Sequence, residues 1–438
     1  MTASNISLFK KRRDELMQLM EDGIAIFPTA PEFIRNGDVH FIFRPDSDFY
    51  YLTHFPEPEA VAVLVPGQPN GKFILFCRQR DYDRETWNGV RRGLDGAVKI
   101  YGADDAFPIE DISDILPGML ENKNRIYCNM GRYRDFDNQL IEWLKASESV
   151  AKMHSDTGGK LVDIGHILHE MRLIKTKDEI KLMSHAAEIS ASAHCRAMQT
   201  CQPNMYEYQV ESELEYIFRK EGARSTAYPS IIAGGGNACV LHYTDNNARL
   251  NDGELLLIDA GAEIDCYASD ITRTFPINGH FTDDQLVLYK IVLSAQEAAI
   301  AQVHPGNTWN QPHEAAINII SQGLIDLGLL TGPLDQILEE QHYRKFYMHK
   351  TGHWLGMDVH DVGDYQIEGK WRPLEAGMTL TIEPGIYIPP DKTIEPRWHN
   401  IGIRIEDDIL VTHNGHHILT NGVPKAPKEI EALMNIKI

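Results

Sequence analysis

The hydrophobic pattern divides the chain into two regions of different rhythm. In the first, "FKKRRDELMQLMED" (9–22) carries apolar residues at helical spacing, and "GIAIF", "AVAVLV" and "KFILFC" are apolar runs of strand length. "RIYCNM" (125–130) and "QLIEWLKA" (139–146) continue the alternation, which predicts a small α/β domain. The polar, glycine-containing stretch "MHSDTGGK" (153–160) reads as a loop and "LVDIGHILHEMRLIK" as a connecting helix. The boundary is therefore placed near 165, giving domains 1–165 and 166–438.

The second region opens with Thr176-x-x-Glu179, a capping-box signature ahead of an amphipathic helix over roughly 177–200. Further helices are predicted for "YEYQVESELEYIFRKEG", for "TDDQLVLYKIVLSAQEAAIAQV" behind a second capping box, Thr282-x-x-Gln285, and for "PHEAAINIISQGLIDLG". Strands are predicted at 254–259, 267–275, 378–388 and 400–412. Helices mixed with long strands on short connections predict an α+β domain with a curved, largely antiparallel sheet.

With 438 residues and 43% hydrophobic content, the chain has ample material for such cores. A formal net charge of −21 opposes binding to nucleic acid or to anionic membranes. The N-terminal segment lacks the apolar stretch and cleavage site of a secretory signal, and no apolar run nears the ~18 residues of a membrane span. Cys77, Cys128, Cys195, Cys201, Cys239 and Cys266 form no C-x-x-C pair and read as reduced thiols. A soluble cytoplasmic protein is expected.

Chemistry enters where the apolar runs stop. Asp259 ends "ELLLI", Glu383 ends "MTLTI" directly before Pro384, and Asp270 and Glu406 fall within predicted strands, so that all four carboxylates sit at or near strand positions flanked by apolar residues. On 401–406, period-two alternation gives one face to Ile401, Ile403 and Ile405 and the other to Gly402, Arg404 and Glu406, a composition suited to a polar cavity. Singly, each carboxylate reads as a strand end facing water. Together on one sheet face, the four would repel and raise each other's pKa. Arg404 alone cannot neutralise them, whereas two divalent cations can. "MHKTGHWLGMDVHD" adds His349, His353 and His360, and "VLHYTD" adds His242. The His349/His353 spacing mimics H-E-x-x-H, but Lys350 stands where the glutamate should be and Gly352 lies within it, so that motif is rejected.

"DAGAEIDCYASDITRTFP", "HWLGMDVHD", "TIEPGIY" and "GIRIEDD" resemble the pita-bread metallopeptidase family in its creatinase/prolidase branch, most closely the aminopeptidase P type. "RPDSDFYYLTHFPEPEAVAVLV" and "MRLIKTKDEI" extend the likeness over most of the chain. The resemblance implies a pita-bread catalytic domain behind an α/β N-terminal domain. It implies two metal ions held by Asp259, Asp270, His353, Glu383 and Glu406. The oxygen-rich donor set points to Mn, with Zn, Co or Fe as alternatives. The implied activity is release of the N-terminal residue from peptides with proline second, by a hydroxide bridging the metals. In that scheme Glu383 shuttles the proton, His242 and His360 bind substrate and stabilise the oxyanion, His349 borders the proline pocket, and Arg404 orients carboxylates. A homo-oligomer, dimer or tetramer, is implied as well.

Two alternatives stand beside it. One is an Xaa-Pro dipeptidase sharing fold and ligands; the other is a metal-free binding module, which the complete acidic set disfavours. "AGGGN" (233–237) is not a phosphate loop, since no Lys-Ser/Thr follows, and reads as a turn bringing backbone close to the site. Trp87 aligns loosely with a tryptophan that in related enzymes reaches a neighbouring subunit's site, and it is kept outside the candidate set.

Overall fold

The computed structural model describes residues 3–20, 22–67, 72–151 and 160–436. They fall into two compact units, one ending at Met171 and one beginning at Arg172.

In the first unit, a six-stranded mixed sheet runs in the order Asp105–Pro108, Lys72–Cys77, Val61–Val65, Ile24–Pro28, Arg125–Cys128, Lys160–Asp163. Alternate residues Ile24/Ile26, Val61/Val63 and Ile74/Phe76 share one core with Ile112, Leu116, Leu140 and Trp143 from the helices Ile112–Leu120 and Arg134–Ala151. The loop expected at 153–160 lies outside the described residues except for Lys160. The helix expected behind it begins later than predicted. Lys160–Asp163 instead pairs in parallel with Arg125–Cys128 as a sheet-edge strand, and the helix is Gly165–Leu173. The Asp163 carboxylate accepts from the Gly165 amide at 2.7 Å, the short-range turn that separates strand from helix.

The second unit has the expected helices at Lys177–Thr200, Glu207–Lys220, Asp283–Ala301 and Gln311–Asp326. Both capping boxes form. At the first, Glu179 accepts from the Thr176 amide at 2.8 Å and also from the Tyr267 hydroxyl at 2.9 Å. Thr176→Ala is expected to cost about 1 kcal/mol, read as a lower denaturant midpoint at unchanged slope. An unchanged midpoint would mean that the cap contributes nothing there.

The long strands are where the structure departs from expectation, since three of the four are broken. The segment 267–275 becomes Tyr267–Ala268 and Thr272–Pro276; 378–388 becomes Thr379–Ile382 and Gly385–Ile388; 400–412 becomes Ile401–Arg404 and Asp407–Thr412. The pieces pair in two antiparallel hairpins of like design. In one, Leu255–Asp259 pairs with Thr272–Pro276, and beyond the break Ala262–Ile264 pairs with Tyr267–Ala268. In the other, Thr379–Ile382 pairs with Asp407–Thr412 and Gly385–Ile388 with Ile401–Arg404.

The breaks have local causes. Pro384 has no amide hydrogen to give a ladder. At Gly261 a Cβ would lie 1.7 Å from the Ser269 carbonyl oxygen, so only glycine lets the two strands approach there. Behind the hairpins, Leu256, Ile258, Phe275, Leu380, Ile382, Ile386, Ile403 and Ile409 join one hydrophobic core with the helices. Each such side chain contributes roughly 1.5–3 kcal/mol by leaving water. That packing fixes where the breaks lie.

Candidate metal centre

Each broken hairpin carries one acidic residue on each strand at its break. Asp259 closes the strand Leu255–Asp259, and Asp270 lies between Tyr267–Ala268 and Thr272–Pro276. Glu383 and Glu406 occupy the corresponding gaps of the other hairpin. A strand that leaves its ladder can turn a polar side chain out of a fully buried environment without losing its apolar neighbours, so the break supplies what a continuous strand would not.

Oxygen and nitrogen atoms of Asp270, His353 and Glu406 lie within 4.8 Å of one another. The Tyr228 hydroxyl joins Asp259 to this group, 2.6 Å from one Asp259 oxygen and 2.5 Å from one Asp270 oxygen. Glu383 approaches through His353, whose Nε2 is 3.7 Å from Glu383 and 3.4 Å from Asp270. His353 Nδ1 is 2.9 Å from its neighbour's carbonyl, Trp354 O, which turns Nε2 toward the carboxylates.

The surrounding cations are few. Arg404 donates to Asp259 at 2.6 Å, to the Tyr387 hydroxyl at 3.0 Å and to the Thr272 hydroxyl at 3.0 Å; Thr272 in turn donates to Glu406 at 2.6 Å. Burial raises the pKa of Asp259 and Glu406 and lifts that of Glu383 to about 7. Asp270 departs from the mutual-repulsion expectation. Burial works against its charge, but His353, Tyr228 and Arg404 outweigh burial and lower its pKa. The ring of His353 is likewise opposed by burial, yet Asp270 and Glu383 lift it to about 9. Four carboxylates, Asp270 and Glu406 buried and Asp259 and Glu383 half-buried, facing one guanidinium and one imidazole make an electrostatic deficit that divalent cations fit.

The remaining candidates stand around this group. Burial, then Arg404, pushes His349 down to about 3. It is therefore neutral, with Nδ1 donating to the Lys350 carbonyl at 2.7 Å and Nε2 accepting from Tyr387 at 2.9 Å. The His360 ring is 4.2 Å from that of His353, edge-on, and its pKa is lowered by burial and by His353. Next to it, Asp361 is enclosed with Arg172 at 2.6 Å and Lys175 at 2.8 Å, which anchors the loop carrying both histidines. His242 is exposed.

Gly402 has a different role from the cavity lining expected of it. A Cβ there would sit 2.3 Å from the Ala238 carbonyl oxygen, so its bareness admits the 3-10 turn Gly235–Cys239 against the strand. That turn is the close backbone approach read from "AGGGN". Sequence reasoning missed Tyr228, Tyr387 and Thr272. Thr272 carried a signal, being two residues from Asp270 on a strand and so sharing its face; Tyr228, in "TAYPS", carried none.

The model of metallopeptidase family M24 matches residues 181–413, and that of the aminopeptidase P N-terminal domain matches 9–127. A Xaa-Pro aminopeptidase of Haemophilus influenzae is 45% identical, covering 98% of this chain and 97% of the relative. The Escherichia coli Xaa-Pro aminopeptidase is 41% identical over 97% of both. Among solved structures, an aminopeptidase of Pseudomonas aeruginosa superposes with a TM-score of 0.96 at 54% identity, covering 98% of each chain.

Proposed function

The chain belongs to metallopeptidase family M24, with an aminopeptidase P N-terminal domain ahead of a pita-bread catalytic domain, and on that premise we propose how its own residues carry the reaction. It is a metal-dependent Xaa-Pro aminopeptidase, as its full-length relatives are. Their names disfavour the dipeptidase alternative. The observation that carries the residue assignments is the convergence of four carboxylates from the breaks of two hairpins with the imidazole of His353.

In this proposal Asp259, Asp270, His353, Glu383 and Glu406 hold two divalent cations, Mn being the ion that suits an oxygen-rich set with one imidazole. Such cations supply Lewis acidity, which acidifies water and polarises the scissile carbonyl. Glu383 takes a proton from the attacking water and passes it to the proline nitrogen as the peptide bond breaks. His242 and His360 donate to the substrate carbonyl oxygen, each such donor typically worth ~2.7–4 kcal/mol in the transition state. Arg404, bonded to Asp259, Thr272 and Tyr387, keeps the carboxylates oriented. Through Tyr387 it also fixes His349 beside the pocket for proline.

The catalytic role falls to the C-terminal domain, expected over 166–438, whose compact unit begins at Arg172. The first unit exposes Phe33, Ile34, Phe41, Ile42 and Trp87, which supports assembly into a homo-oligomer, dimer or tetramer. Six scattered cysteines without a C-x-x-C pair support a reducing, cytoplasmic setting, and among the described residues no helix is long and apolar enough to cross a membrane.

Purified protein with its metal content measured, assayed on Xaa-Pro, Xaa-Pro-Yaa and longer peptides, tests the reading. Two equivalents of divalent metal and cleavage of tripeptides and longer chains are expected. Cleavage of dipeptides alone would make the dipeptidase reading correct. Absence of bound metal, with no activation by added Mn, would favour a binding module.

A further inference from the structure

His242 has no anchor of its own. Its imidazole is exposed, no hydrogen bond to it is present among the described residues, and its backbone belongs to a segment without helix or strand. Something else must hold it if it is to meet a substrate.

We propose that Glu207 is the positioning residue for His242, the buried hub on which the loop Gly234–Ala248 is built. Glu207 is the first residue of the helix Glu207–Lys220 and is completely buried. Both of its oxygens are saturated, and every donor comes from that loop. One oxygen accepts from the Gly234 amide at 2.9 Å and from Asn237 Nδ2 at 3.0 Å. The other accepts from the Tyr243 hydroxyl at 2.7 Å and from the Ala248 amide at 2.8 Å. The donors lie on both sides of His242 in sequence, and one is its immediate neighbour. The Glu207 amide closes the frame by donating to the Ala248 carbonyl at 3.0 Å.

A carboxylate buried among neutral donors is stable only while all of them remain in place, aided here by the positive end of its own helix. The loop is therefore held in one arrangement rather than several. A second clamp agrees with this: buried Asn246 accepts from the Ile232 amide at 3.0 Å and donates to the Ser230 carbonyl at 2.8 Å. The held loop also rests on the site wall. Cys239, Leu241 and Tyr243 pack against Ile231, Ala233, Leu257 and Tyr387, and the Tyr387 hydroxyl is the one that contacts Arg404 and His349.

The inference rests on the proposed role of His242, and a double-mutant cycle separates the two. Glu207→Gln keeps the shape but turns an NH2 group toward two donors, so the loop must shift. A displacement of about 1 Å at a substrate contact costs on the order of 10²-fold. With kcat/KM on an Xaa-Pro-Yaa peptide measured at full metal loading, Glu207→Gln is expected to lose about 10–100-fold. Tyr243→Phe, which removes a single donor and keeps the fold in case the first variant does not, is expected to lose about 3–10-fold. Metal stoichiometry should match the parent in both. In a His242→Ala background, either substitution is expected to lower kcat/KM by less than about 2-fold, because nothing remains to be positioned. Full additivity with His242→Ala, or loss of metal in the Glu207 and Tyr243 variants, overturns the positioning role while leaving His242 as a substrate contact. If His242→Ala alone leaves kcat/KM unchanged, the reading of His242 is wrong and the positioning role falls with it.

Discussion

Glu383→Gln is expected to lower kcat on an Xaa-Pro-Yaa peptide by about 10²–10⁴-fold with KM little changed. Glutamine keeps the size and one acceptor of glutamate but cannot take a proton from water or return one to the leaving nitrogen. Transfer of that proton belongs to the transition state, so its loss is read in kcat. The fold should tolerate the change. Glu383 is buried deeply enough that its carboxyl is raised to about 7, and a neutral amide suits that environment better than a charge. Glu383 is also an expected ligand, so the comparison has to be made at saturating Mn with bound metal counted in each sample. Parent and variant with equal metal and equal kcat would remove Glu383 from the proton path.

The four acidic positions were legible because each ends or interrupts an apolar run, and a charge in that place demands a partner. What the pattern could not convey is that the strands break there. Residues 400–412 read as one continuous strand, yet Ile401–Arg404 and Asp407–Thr412 pair with different strands, and Glu406 points into the site because it belongs to neither ladder. Pro384 marks only one of the breaks in its own sequence. The others depend on close approaches such as Gly261 to Ser269, between residues that periodicity does not relate. The tyrosines were hidden for a similar reason: Tyr228 and Tyr387 matter through hydroxyls that meet partners far along the chain. Glu207 did leave a trace. It shares the buried stripe of its helix with Val210, Leu214 and Phe218, and a carboxylate at the head of an apolar stripe is a buried charge awaiting donors.

The same electrostatic deficit gives the largest expected effect on stability. Complete removal of both divalent ions should lower stability by about 5–8 kcal/mol when each had been held at 100–1,000 times its dissociation constant, about 3–4 kcal/mol per ion. For a unit of this size that corresponds to a melting temperature lower by roughly 20 °C. The pH dependence is a sharper test than the shift itself. In metal-free protein Glu383 binds its proton near pH 7, whereas the unfolded chain binds it near the ordinary 4.5; Asp259 and Glu406 are raised as well. Between those values the folded state holds more protons than the unfolded state, so stability falls as pH rises through about 7 and is fully regained below about 4.5. Metal-loaded protein should slope the other way over the same window, because protons compete with cations for the same oxygens. His194, His313 and His349, lowered chiefly by burial to about 4, 4 and 3, and His360, lowered likewise, oppose that gain toward acid in both forms, so the carboxylate contribution is read in the difference between the two forms. Melting curves of the two forms that run parallel from pH 8 to pH 5 would mean that the carboxylates do not share one site, and the assignment of a common metal centre to these two hairpins would have to be abandoned.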